Sequence, residues 1–278
     1  MFRKKPSKRK MTRYMDPENT SEEYWDGINQ AFNLAGAQAL WRAHSDRVNS
    51  RLLTDWLGGR DRADLLKTDL FDEAVSPGLF PCLQRHATHV HGIDISGDCV
   101  AAARRRYPGL QAMTADVRDL PYADDRFDCI VSNSTLDHFR ERQDIDTALQ
   151  QFWRVLKPGG ELLITMDNLL NPVICLRNAL PFSLMEKLGL VPYFVGHTLT
   201  PGGLKRTLQE AGFQSVETRS ILHCPRVLAI PVSEVVRKHC RTEGQQRFLS
   251  LLMKFERLAN WPTAGISGHF TAALAIKP

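Results

Sequence analysis

The chain has 278 residues, 43% of them hydrophobic, enough to bury a full core in one large domain or one domain plus an appendage. Its six cysteines (Cys82, Cys99, Cys129, Cys175, Cys224 and Cys240) are scattered without a C-x-x-C pair, which argues against a disulfide framework or a structural zinc site and fits reduced thiols in a cytoplasm. The net charge of +5 is concentrated at one end: residues 1–14 carry seven Lys/Arg and no acid, leaving 29 basic against 31 acidic residues elsewhere, so the body is not expected to bind nucleic acid.

In chain order, residues 1–19 read as a disordered basic arm, either simply solvated or touching anionic lipid or RNA. No apolar run follows it, so neither a secretory signal nor a membrane span is expected. Thr20 with Glu23 has capping-box spacing and opens an N-terminal helical cap over 20–59, ended by Gly58-Gly59. Within the cap, Tyr24, Trp25, Trp41, Arg42, His44 and Asp46 can close a pocket from one side. Arg42 and Asp46, four apart, also suit a plain intrahelical ion pair.

From residue 60 to 278, short strand-like runs alternate with helix-like runs. "DLLKTDL", "THVHGIDIS", "LQAMTADV", "FDCIVSN" and "ELLITMD" are the strands of a parallel sheet covered by helices on both faces. Ser96 caps "GDCVAAARRRY", and "DTALQQFWRVL" is stopped by Pro158-Gly159-Gly160. Thr200-Pro201 opens a helix ended by Gly212, and two further strands, "SVETRSIL" and "GHFTAALAIK", flank a helical stretch near 232–259. His86, His89 and His91 have a superficially metal-like spacing, but it crosses a turn into a strand, where the side chains diverge.

In an open parallel sheet the ligand sits beyond the carboxyl ends of the strands. There Asp94 can accept both hydroxyls of a ribose or merely cap the helix at Ser96. Asp116 can accept from an adenine amino group while the Val117 amide donates to the ring, and the fourth strand ends on Ser132, Asn133 and His138.

Together "GIDIS", "ADVRDLPYADDRFDCIVSNSTLDHF" and "FWRVLKPGGELLIT" resemble the successive motifs of class I S-adenosylmethionine-dependent methyltransferases acting mostly on small molecules. The resemblance covers about residues 60–168 and implies a Rossmann-like, seven-stranded, mostly parallel α/β sheet whose last strand is antiparallel. It also implies S-adenosyl-L-methionine as cofactor, with Asp94 at the ribose, Asp116 at the adenine amino group and Asn133 beside the methyl donor.

One stretch departs from the family. The usual acidic-hydrophobic-Gly-x-Gly-x-Gly turn is replaced by "TDLFDEAVSPG", which keeps only Gly78. A pyrophosphate could not tolerate this, because glycines let the backbone approach it. S-adenosylmethionine brings an ammonium, a carboxylate and a sulfonium instead, and Asp69, Asp72 and Glu73 supply carboxylates for its amino acid end. The alternative is a decayed pocket whose acids face water. Thr68, Gly78, Ile95 and Val117 complete the expected donor site, and no metal is called for.

His138 is the candidate base, with Asp137 a weaker one; a packing role for the histidine stays open. The apolar, proline-broken insertion at about 168–199 reads as a helical lid over a small, hydrophobic or lipid-like acceptor, or else as packing or a dimer contact, and it is compatible with peripheral membrane contact. The rival to an enzyme is a non-catalytic binding or scaffolding protein of the same fold.

Overall fold

A computed structural model describes residues 22, 24–27, 38–181 and 194–278. The basic arm, the Thr20/Glu23 capping pair and the centre of the expected lid lie outside the described residues.

Seven strands form one sheet in the order β3-β2-β1-β4-β5-β7-β6. They are β1 (Asp64–Lys67), β2 (His89–Asp94), β3 (Gln111–Thr114), β4 (Phe127–Asn133), β5 (Leu156–Asp167), β6 (Gln214–Ile221) and β7 (Phe270–Ile276). The first five are parallel, and β7 runs antiparallel to both β5 and β6. The order reverses direction at β1, so β1 and β4 frame the switch point of the sheet, where such folds open a crevice.

Strand side chains alternate between two cores, as a period of two requires. Leu65, Cys129, Val131 and Leu163 face one core, and Leu66, Ile130, Leu162 and Ile164 the other. The first core is covered by α1 (Ala39–Leu57), the short α3 (Phe80–Leu83) and α4 (Gly97–Arg106), and the short α2 (Phe71–Val75) packs on α4. The second is covered by α5 (Arg142–Val155), whose buried Ile145, Leu149 and Phe152 recur at helical spacing. After α6 (Pro172–Ala179), α7 (Pro201–Glu210) joins α5 on that face, while α8 (Arg226–His239) and α9 (Thr242–Met253) pack on α1. A final short turn, α10 (Ala264–Ser267), leads into β7.

The punctuation follows local chemistry. The Ser96 hydroxyl accepts from the Cys99 N–H at 3.1 Å and Thr200 from Gly203 at 3.0 Å, each closing an N-terminus. Pro158-Gly159-Gly160 does not separate α5 from a later strand: α5 ends at Val155 and β5 runs straight through the three residues, pairing Leu156 with Phe127 across an irregularity in β4. The Arg42 guanidinium reaches across to the Asp72 carboxylate at 2.8 Å, so it ties α1 to α2.

Candidate active site

The carboxyl ends of β1, β2, β3 and β4 open into a single cavity roofed by α1 and by Trp25. Thr68 and Asp69 follow β1, Asp94 and Ile95 end β2, Asp116 and Val117 follow β3, and Asn133 ends β4; all of them line it, as do Asp72 and His138. Residues separated by up to 70 positions thus converge because parallel strands all deliver their ends to the same edge.

Asp94 is anchored from both sides. One carboxylate oxygen accepts from the Leu70 N–H and the other from the Ser96 N–H, each at 2.8 Å. Both readings of this residue are therefore compatible, since it braces two loops with one bond to each oxygen and still lines the cavity, and a carboxylate oxygen can accept more than one bond. Its burial raises its pKa. Asp116 is held by Arg118, whose guanidinium donates to it at 2.6 Å, bridges on to Asp144 at 2.9 Å and lies over the Phe139 ring. The Asn133 side-chain oxygen accepts from the Thr165 hydroxyl at 2.7 Å, which fixes the end of β4.

The glycine-poor turn differs from the expectation in a specific way. Laid on the end of β1, the family pattern puts Lys67 at the acidic place and Asp69, Phe71 and Glu73 where glycines would stand. Glu73 is fully buried and does not line the cavity. It pairs with the Lys67 ammonium at 3.0 Å and accepts from the Leu79 N–H at 2.7 Å and the Phe80 N–H at 3.2 Å. Gly78 also lies away from the cavity lining; at φ +60° it passes so close that a Cβ would sit 2.6 Å from the Glu73 carboxylate. Neither is placed to touch a ligand, because a buried carboxylate finds its partners inside the protein. The cation among the acids is the chain's own: Lys67 holds Glu73, and Arg42 holds Asp72.

Of the three acids in the turn, Asp69 and Asp72 line the cavity, and Asp69 is the one with no ion pair of its carboxylate among the described residues. Its carboxylate accepts from the Phe71 N–H at 2.9 Å, and the Lys67 ammonium donates to its backbone carbonyl. Burial, with Asp94 and Asp72 nearby, raises its pKa well above the usual carboxylate range despite Lys67. A group in that state gains from a bound cation.

His138 and Asp137 separate. The His138 ring meets Trp25 edge-on at 4.7 Å, and its Nδ1 is 3.1 Å from the Phe194 carbonyl. Asp137 is 1% exposed and turned inward, accepting from the Ser134 hydroxyl and the Asp167 N–H at 3.0 Å each. It braces the ends of β4 and β5 and does not line the cavity. Of the cap residues, Trp25, Trp41 and Arg42 line it and Tyr24 and Asp46 do not, whereas His44 is buried against Cys224, with Nε2 3.3 Å from the sulfur. His91 turns to Asp64 at 3.2 Å while His89 is exposed, so the three histidines do diverge.

Residues 76–164 match the family described as a methyltransferase domain. The chain carries a class I S-adenosylmethionine-dependent methyltransferase domain. Among curated proteins, the domain is 41% identical over 76 residues to human probable tRNA methyltransferase 9B, covering 27% of this chain and 16% of that protein. It is 32% identical over 120 residues to the ubiquinone/menaquinone biosynthesis C-methyltransferase of Haemophilus ducreyi, covering 38% and 45%. The matched segment thus spans less than half of either relative. Among solved structures, phosphoethanolamine N-methyltransferase 2 of Haemonchus contortus, in complex with S-adenosylhomocysteine, superposes with a TM-score of 0.55 at 16% identity over 83% of this chain and 52% of that one. A [4+2]-cyclase superposes equally well, at 18% identity over 93% and 97%. These likenesses show the fold, and the cyclase shows that the fold alone does not fix the reaction.

The methyltransferase domain has features that sequence reasoning missed. Arg118 lies inside "ADVRDLPYADDRFDCIVSNSTLDHF", two residues after Asp116, and that spacing is the signal that points to it. Arg226 and Phe270 carried no local signal and reach the cavity only through the β5-β7-β6 order.

Proposed function

We propose that the chain binds S-adenosylmethionine in this cavity and transfers its methyl group to a small acceptor. The observation that carries the reading is the convergence of Asp69, Asp94 and Asp116 on one cavity walled by Ile95, Val117 and Phe139. Asp94 would take the ribose hydroxyls, Val117 and Asp116 the adenine edge, and Asp69 the ammonium. The donor supplies an electrophilic carbon on a positively charged sulfur; the protein's part is alignment and, where the acceptor must lose a proton, a base.

His138 lines the cavity in the turn just after β4, with its Nδ1 3.1 Å from the Phe194 carbonyl, and its imidazole is the candidate base for an acceptor proton. Among the described residues no helix is long and apolar enough to cross a membrane. A small acceptor that is lipid-like is supported by the exposed apolar Val173 and Leu176 of α6, although neither lines the cavity.

One observation favours the non-catalytic reading instead: side chains occupy all three glycine places, and Lys67 stands at the acidic one. Calorimetric titration with S-adenosylmethionine and S-adenosylhomocysteine decides between them. Micromolar binding of both supports the enzyme; absence of heat at millimolar ligand leaves the scaffold. Given binding, His138→Gln should lower methyl transfer while leaving donor affinity within about twofold.

A further inference from the structure

Beyond the strand ends that face the donor, the cavity continues under α1 toward the ends of β5 and β7, where Arg226, Trp41, Ser45, Asn49 and Phe270 line it. Arg226 is the first residue of α8, at the positive end of that helix. Its guanidinium lies 5.7 Å from the centre of the Trp41 ring and donates through one nitrogen to His269 Nε2 at 2.8 Å.

The charges around it do not cancel. His269 is buried, and its pKa is pushed down to about 3, first by burial and then by Arg226, so it meets the guanidinium as a neutral acceptor. Asp167, which also feels the Arg226 charge, is 3% exposed and is engaged by Arg177 at 2.5 Å; it lies 3.7 Å from His269. Two arginines thus share one carboxylate, and among the described residues no carboxylate pairs directly with Arg226. A half-buried guanidinium in a cavity with one donor spent on a neutral ring keeps the other donors for a ligand.

We propose that Arg226 binds an oxyanion, a carboxylate or a phosphate, on the methyl acceptor. This deepens the methyltransferase reading and rests on it. The alternative bearer of an oxyanion is the donor's own carboxylate, but Asp69, assigned to the same amino acid end, follows β1. Arg226 is anchored through His269, the residue before β7, three strands further along the sheet, so at about 4.8 Å per strand the backbones that carry the two groups are roughly 14 Å apart. Trp41 beside the guanidinium, and Phe270 in the same cavity lining next to His269, suit the apolar body that carries the anionic group.

The test uses the full chain saturated with S-adenosylhomocysteine, titrated calorimetrically with benzoate and phenyl phosphate and, as neutral control, benzamide. Binding of at least one anion, undetected for benzamide, should weaken about tenfold or more in Arg226→Gln and recover in part in Arg226→Lys. S-adenosylhomocysteine affinity should stay within about twofold in both variants. Equal binding of benzamide, no binding of either anion, or unchanged anion affinity in Arg226→Gln overturns the proposal. Parallel loss of S-adenosylhomocysteine affinity in that variant assigns the guanidinium to the donor and also overturns it. If the wild-type chain fails to bind S-adenosylhomocysteine, the methyltransferase reading fails first, and the same anions titrated into the free protein decide whether Arg226 remains an oxyanion site.

Discussion

The Lys67 ammonium lies 3.0 Å from the Glu73 carboxylate, with both side chains sealed from solvent beneath the turn that follows β1. The acids around it raise the affinity of Lys67 for its proton against the opposing effect of burial, Glu73 first among them. The pair converts a turn without glycines into one cross-braced by charge. Glu73 then spends its other oxygen on the N–H groups of Leu79 and Phe80, so the loop from 71 to 80 folds around one carboxylate.

Removing one partner should strand the other as a buried charge. Lys67→Met is expected to cost about 3–5 kcal/mol, and the double variant Lys67→Met/Glu73→Gln should lose less than Lys67→Met alone. Urea unfolding of the two variants against wild type measures this. A single variant with wild-type stability would mean that the pair is solvated in solution.

Asp69, in contrast, faces the cavity, and its role should appear in binding rather than in folding. Asp69→Asn is expected to weaken S-adenosylmethionine binding by more than tenfold, about 1.4 kcal/mol or more, with little change in stability. Equilibrium dialysis with labelled donor checks it. Retention of full affinity would leave the ammonium to another group.

How far the sequence disclosed these roles depended on what each residue touches. The strand segments, the caps at Ser96 and Thr200, and the acids at the strand ends were legible because each follows from periodicity or from position at a strand terminus, whereas the order of the strands does not. The division of labour among Asp69, Asp72 and Glu73 was not. Three acids in five residues look alike in a string, and only the fold brings Arg42 from α1 to Asp72 and turns Lys67 inward to Glu73. Asp137 beside His138 was misread for the same reason: adjacent residues on a tight turn point opposite ways, one into the cavity and one into the β4–β5 junction.

Gly78 belongs with the brace. A methyl group there meets the Glu73 carboxylate at 2.6 Å, and φ of +60° strains any residue with a Cβ. Gly78→Ala should lower stability by about 1–3 kcal/mol yet leave donor affinity of the folded fraction within about twofold. Thermal melts paired with calorimetry separate the two effects; tenfold weaker binding with unchanged melting would return this glycine to the ligand site.

His44 makes acid sensitivity testable at a single nucleus. It is fully buried against Cys224, and burial, with a contribution from Arg47, depresses its pKa from 6.5 to about 4. In the unfolded chain it binds a proton near pH 6.5, so between those values the unfolded state holds more protons and folding weakens as pH falls. The contribution is fully present above pH 6.5, is lost progressively down to pH 4, and amounts to about 3 kcal/mol at most. It opposes Asp46, whose pKa is raised to about 8 by burial and by Asp72, and whose contribution runs the other way, present at low pH and lost as pH rises toward 8. Net stability against pH therefore mixes the two. The imidazole C2 proton resolves them: its NMR shift should stay flat from pH 7 to about 5 and move only near pH 4. A midpoint near 6.5 would show that water reaches His44 and that α1 opens away from the β6–α8 connection in solution.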